Sequence, residues 1–325
     1  MIHTSAARWY YIDPETPQWQ WLNAYDSLAR FCVPIFFMIS GALFLDPARN
    51  VTIRSILRRS LPRLVVAYIV WSGFFALYTT FAVTGYAGGW ALLSLWATGH
   101  YHLWFLLALM ALYLVTPLLR RLSESPVLAR YFLVLAALFA VVLPMMSRVP
   151  RVGPIVDAVL ETAQLQLVLG YSIYFVLGYL LHAGLFAGVR TLWLVLAGAA
   201  ALVATVAGTS WLSIRAGTGD AWLYAYLTPN VVVMSAVVFL LAKRWGEKHP
   251  LSASASRLVG VFGGCSFGIY LVHPLFQDIL QRVGVTSDML PAAVSVPIVA
   301  FAILVPSFAL AWLLQRIPRA GRYLA

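Results

Sequence analysis

Charge is what this chain has least of. Of its 325 residues only 10% are Asp, Glu, Lys or Arg, against about 25% in an ordinary soluble domain, while 62% are hydrophobic and the mean hydropathy is +0.85. That shortage excludes a water-soluble globular protein and points to a polytopic membrane protein. Acidic residues are scarcer than basic ones, 11 against 22, for a net charge of +11. In a soluble chain such an excess would suggest nucleic acid; in an apolar chain it is the basic bias of loops that set topology, and no nucleic-acid partner is expected. Cysteine is nearly absent. Cys32 and Cys265 lie in apolar segments without CxxC spacing, so neither a disulfide framework nor a metal site follows. A Gly-rich GxxxxGK[ST] loop is also missing, which disfavours ATP chemistry. With no cleavable signal pattern, internal repeat, soluble appendage or low-complexity linker, residues 1–325 read as one integral membrane domain.

What is present is a succession of apolar runs close to the ~20 residues that cross a bilayer as a helix. They lie at Leu28 to Leu45, Leu61 to Val83, His102 to Leu119, Tyr131 to Met146, Leu165 to Phe186, Leu192 to Thr209, Leu223 to Ala242, Leu258 to Leu280 and Ala292 to Leu314. The expected fold is therefore all-α, a polytopic transmembrane helical bundle with about nine spans. Arginine and lysine gather in alternate loops: Arg49 to Arg63; Arg120, Arg121 and Arg130; Arg190; Lys243, Arg244 and Lys248; and Arg316, Arg319 and Arg322. These loops are expected in the cytoplasm, together with the C-terminus. The loop Thr84 to Tyr101 has no Lys or Arg and is expected outside, as are residues 1–27. An N-terminus on that side calls for an earlier helix, and MIHTS reads like its last turn. A tenth span, first in order, is expected upstream.

Polar residues inside the spans can then be placed by depth. In SFGIYLVHP, Ser266 to Pro274, His273 lies about 16 residues above the inner end at Arg257, or about 24 Å at the helical rise. His102, preceded by His100, begins its helix at the outer surface, and so does Arg30, four residues after Asp26. His3 sits at the same level. An ionisable group at such a place is costly and is either paired in a protein-lined cavity or used.

Four stretches occur in order along nearly the whole chain: RFCVPIFFMISGALFL (Arg30 to Leu45), HLWFL (His102 to Leu106), YFVLGYLL (Tyr174 to Leu181) and SFGIYLVHP. Together they resemble the successive signatures of the acyltransferase-3 family of integral membrane acyltransferases. The resemblance implies ten core helices and transfer of acetyl or related acyl groups from cytoplasmic acyl-CoA, acetyl-CoA foremost, to extracytoplasmic glycans. It implies a bacterial inner-membrane enzyme acting on a cell-envelope or exported polysaccharide or a lipid-linked glycan. In that family the first helix carries an Arg followed after ten residues by a catalytic His, and IHTS (Ile2 to Ser5) resembles the end of that motif. By this match His3 is the catalytic histidine and its partner Arg lies upstream of Met1, so the activity belongs to a longer form or this product is inactive.

The residue chemistry is compatible with that reading. Attack of a sugar hydroxyl on a thioester needs a base, for which imidazole is suited at neutral pH, and donors for the oxyanion. Arg30 is the candidate for charge stabilisation, His102 and His273 for orienting acceptor or base, Ser40 and Tyr270 for hydrogen bonds at mid-depth, and Trp104 for an apolar sugar face. Each has a plainer reading as a helix bridge, a small-residue packing point or an interfacial aromatic. Coenzyme A is polyanionic, and the densest basic cluster is Arg58, Arg59 and Arg63, whose guanidinium forks suit phosphate. The alternative reading is a transporter or flippase for a lipid-linked saccharide, whose path the same polar residues would line; the repeated halves usual in transporters are not visible.

Overall fold

The structure is a computed structural model that describes residues 1–86, 88–164, 169–318 and 320–325. Among these residues there are helices and no strand. Eight helical stretches are long and apolar enough to cross a membrane: Pro17–Phe44, Ile53–Thr84, Gly89–Ser123, Pro126–Arg148, Thr191–Ala216, Trp222–Lys248, Ala253–Arg282 and Ala292–Gln315. The fold is thus the expected all-α polytopic bundle, with three differences in its parts.

The first difference is at the N-terminal end, where the helix begins at Pro17 and not at Leu28. The side chain of Thr16 accepts from the Trp19 amide at 3.3 Å and Pro17 occupies the first turn, where its missing N–H costs nothing. The structure gives the polar residues of this segment partners: Gln18 bonds Leu290 O and the Ala292 amide, and Asn23 bonds Val206 O. Second, the expected span Leu165 to Phe186 starts in residues 165–168, outside the described part. From Ser172 the chain forms an apolar helix of 11 residues, Ser172–His182, about 16 Å long and too short to cross alone. Third, the expected loop Thr84 to Tyr101, which includes the undescribed Ala87, contains the helix Gly89–Thr98. Arg319 of the C-terminal basic run also lies outside the described residues.

Contacts divide the chain into two compact units. The first comprises Met1–Val51, Val115–Pro250 and Ser287–Pro297. Its tightest crossing is between Cys32–Phe44 and Ser172–His182, where two glycines let backbones touch: a Cβ on Gly41 would fall 1.8 Å from Phe175 O, and one on Gly178 would fall 2.1 Å from Met38 O. Small residues that admit close approach are the usual means of packing helices in lipid, where apolar burial gives little net drive. The helix ends here are closed by basic side chains. Arg120 donates to Phe44 O at 2.5 Å and to Arg49 O at 3.1 Å, Lys243 to His182 O at 2.7 Å, and Arg244 to Phe186 O at 2.9 Å. Each occupies carbonyls that a helix C-terminus or the turn after it leaves without an internal donor. A second core gathers Trp9, Trp19, Leu22, Tyr224, Ala292 and Val296.

The second unit comprises Thr52–Leu114, Leu251–Thr286 and Ile298–Ala325. Leu61–Tyr78 carries the helix Gly89–Thr98 against it: Trp96 Nε1 donates to Ile69 O at 2.9 Å, Tyr68 OH to Ala97 O at 2.9 Å, and Ser72 Oγ to Trp96 O. The helix stops at Gly99, whose φ of +76° is open only to glycine at its ψ of 163°. From the same helix, Trp71 Nε1 donates to Leu324 O at 3.0 Å, and Cys265, Ala311 and Ala325 share a small core.

Replacing Gly178 by Ala is expected to lower the thermal stability of the detergent-solubilised protein by at least the ~1–3 kcal/mol typical of overpacking. Gly246→Ala, whose Cβ meets nothing within 4 Å, is the matched control and should leave stability unchanged or raise it by up to about 1 kcal/mol. Thermal unfolding of the two variants side by side checks both.

Candidate active site

In the second unit the turn after Gly99 decides where the histidines go. His100 is extended, with φ −71° and ψ 149°, and opens a single 3-10 turn, Tyr101–Leu103, that leads into the helix Trp104–Ser123. His102 is thereby turned inward and is 2% exposed. Its Nδ1 lies 2.9 Å from Nδ1 of His100. Phe75 supports both rings, stacked on His100 with centroids 4.4 Å apart and edge-on to His102 at 5.1 Å.

The helix Ala253–Arg282 brings the other half. Tyr270 and His273 are three residues apart and so share a face. Tyr270 OH donates to His102 O at 2.6 Å, and the rings of His102 and His273 meet edge to face with centroids 5.6 Å apart. Pro274 explains the ring orientation of its neighbour. In a regular helix the N–H of residue 274 would bond the carbonyl of residue 270; proline has no N–H. His273 Nδ1 stands 2.8 Å from that same carbonyl, Tyr270 O. A carbonyl can only accept, so Nδ1 carries the proton and the lone pair of the neutral ring is on Nε2.

In the first unit Arg30, at the break between Pro17–Ala29 and Cys32–Phe44, is paired with Asp26 at 2.6 Å, the carboxylate 1% and the guanidinium 13% exposed. It also donates to Tyr224 O at 3.4 Å and lies over the Tyr224 ring at 4.1 Å. Its Nε–H, buried, has no partner among the described residues. Tyr224 in turn donates to the Asn23 side chain and packs on Trp9. The turn that carries it is braced by Asp220, which accepts from the Trp222 amide at 2.9 Å and pairs with Arg148 at 2.5 Å. Burial alone would raise the Asp220 carboxyl, but these donors and the Arg148 charge hold it below its ordinary value. His3 is half-buried on the helix Ile2–Trp9, which continues for about one turn beyond the MIHTS opening.

Of the residues singled out from sequence, His102, His273 and Tyr270 come together in the second unit, joined by His100. His3, Arg30 and Ser40 belong to the first unit, Ser40 half-buried beside Gly41. Trp104 is half-buried with its ring edge-on to Phe105 at 6.3 Å. Tyr174, the first residue of YFVLGYLL, donates its hydroxyl to Tyr226 O. Arg58 and Arg59 are exposed on a π-helical turn, Ile56–Ser60, while Arg63 reaches Ala325 O at 3.3 Å and lies over Phe267. Two participants were named in the sequence but given no role: His100, two residues before His102, and Pro274, the end of SFGIYLVHP, whose four-residue spacing to Tyr270 is the signal for it.

A family model described as an acyltransferase domain matches residues 1–316 of the chain. No curated protein and no solved structure matches.

Pro274→Ala supplies the missing N–H. The variant is expected to gain stability, by up to about 3 kcal/mol, and to lose the fixed Nδ1–H form of His273; thermal unfolding and ¹⁵N shifts of labelled histidine read the two effects separately. Asp26→Ala leaves the Arg30 charge alone in an apolar setting and should cost about 3 kcal/mol or more, with Asp26→Leu/Arg30→Met recovering most of it. The Asp220 pair stabilises fully above the unfolded-state carboxylate value of about 3.9. That contribution fades as pH falls through the lower folded-state value, so Asp220→Asn should flatten the acid limb of a stability-against-pH curve.

Proposed function

The chain belongs to the acyltransferase-3 family, and on that premise we propose that it moves an acyl group, acetyl first among candidates, from a coenzyme A thioester to a hydroxyl of a cell-envelope or exported polysaccharide. The setting we propose is a bacterial inner membrane, with the C-terminus cytoplasmic. The observation that carries this reading is the pairing of buried His102 with half-buried His273, edge to face and fixed through Tyr270.

The chemistry asks little more of the protein than such a pair provides. As the acceptor oxygen attacks the thioester carbonyl, its O–H bond breaks and a proton must be taken up; the C–S bond then breaks and the thiolate needs one. His273, held with its lone pair on Nε2, is built to accept or share that proton. His102 is in position to orient the acceptor and to respond to charge on its neighbour. His3 keeps the catalytic role that the IHTS motif implies. Arg30 has its charge balanced by Asp26 and one N–H, Nε, still to offer to a developing oxyanion. The exposed Arg58 and Arg59, with Arg63, are proposed to meet the phosphates of the donor. Ser40 and Trp104 are proposed acceptor contacts.

The test is mass spectrometry of envelope glycans from cells lacking the gene and complemented with wild type, His3→Ala or His273→Ala, beside acetyl-CoA consumption by the purified protein in liposomes. Wild type should restore an acyl mass. Each variant should lower turnover about 100-fold or more, the scale of acid-base catalysis. Restoration of the same acyl mass by wild type and both variants would remove the roles assigned to these histidines, and transport of a saccharide without acetyl-CoA consumption would replace the reaction.

A further inference from the structure

His100 has no part in the reading above, yet it is joined directly to a ring nitrogen of the site. Its Nδ1 is 2.9 Å from Nδ1 of the buried His102. Two neutral imidazoles meet in that way only if one nitrogen carries the proton and the other the lone pair. Such a bond can reverse: when His102 gains a proton on Nε2, its Nδ1 proton can pass to His100, which releases one from its own Nε2. His100 is half-buried where His102 is closed off, so the pair runs from the interior toward solvent.

Two ring contacts favour passing a proton from His102 on to His100. Two imidazoliums with ring centroids 5.6 Å apart would repel in a low-dielectric site, so a proton held on His102 opposes one on His273. His100 instead lies flat on Phe75 at 4.4 Å, with planes 17° apart, an arrangement in which the ring face favours a cation. Tyr101 lies beside it at 4.5 Å. On the helix Ala253–Arg282 the Asp278 carboxylate is bound by Arg282 at 2.5 Å, and Tyr78 of Leu61–Tyr78 donates to the same carboxylate. Among the described residues, Tyr270 and His273 also face His102.

We propose that His100 is a positioning residue that relays protons between His102 and solvent during acyl transfer. The proposal rests on the acyl-transfer reading. The balance is simple: the acceptor O–H gives up one proton to the site that His273 and His102 share, the proton leaves through His102 and His100 to water, and the departing thiolate takes one proton from water on its own side.

The test compares wild type, His100→Gln and His102→Ala in liposomes with acetyl-CoA and the envelope glycan fraction. Glutamine keeps a polar partner for His102 but cannot pass a proton through itself. The expected result is a fall in kcat of about 100-fold for His100→Gln, an unchanged KM for acetyl-CoA, a displaced pH profile, and partial rescue by added imidazole. A His100→Gln enzyme with wild-type kcat and pH profile would overturn the relay and leave the acyl-transfer reading standing. Wild type that consumes no acetyl-CoA and acylates no glycan would overturn both. A second measurement does not require the variant to fold: ¹⁵N-histidine NMR of wild type should show a coupled N–H···N pair between the two rings, and its absence would also overturn the relay.

Discussion

A backbone carbonyl inside hydrocarbon has no water to turn to, so wherever a helix breaks, starts late or carries a proline, some side chain must supply the donor. The structure meets this requirement again and again with the residues that also build its candidate site. His273 serves Tyr270 O, left open by Pro274; Tyr270 serves His102 O, where a helix gives way to a 3-10 turn; Arg30 serves Tyr224 O. The site's geometry is therefore held by backbone accounting, and its side chains are oriented as a result of satisfying it.

The same requirement changes how the basic residues are understood. From sequence they are topology signals, and the bias of the loops fits that role. In the structure Arg120, Lys243 and Arg244 are also C-terminal caps, closing Cys32–Phe44, Ser172–His182 and the turn after it. A cation at a helix C-terminus gains from the helix dipole as well as from the bond. Arg58 and Arg59 have no such employment and stay exposed, which fits the solvent-facing, phosphate-meeting task proposed for them.

Much of the fold was legible because hydropathy and length are local properties. Eight of the nine expected spans have a counterpart among the described residues, with shifted ends. The misplacements have a common cause. Residues 1–27 were read only as an outside segment ahead of the span at Leu28, whereas the helix there begins at Pro17, with Gln18 and Asn23 each bonded to a partner more than 180 residues away in sequence. Gly89–Thr98 was read as a loop because it is too short to span, and it persists by leaning on Leu61–Tyr78 through Trp96 and Tyr68.

For the site, sequence named His102, Tyr270 and His273 and assigned their depth, since depth follows from distance to the ends of a span. It passed over His100, because nothing in a linear pattern says that a turn at Gly99 will bring two ring nitrogens to hydrogen-bonding distance. Composition by itself determined that this chain lives in a bilayer as helices, for a run of apolar residues has no other stable form there. Tertiary structure alone decided which nitrogen of His273 carries the proton, because a tautomer is set by the atom opposite it, and that atom, Tyr270 O, is supplied by folding.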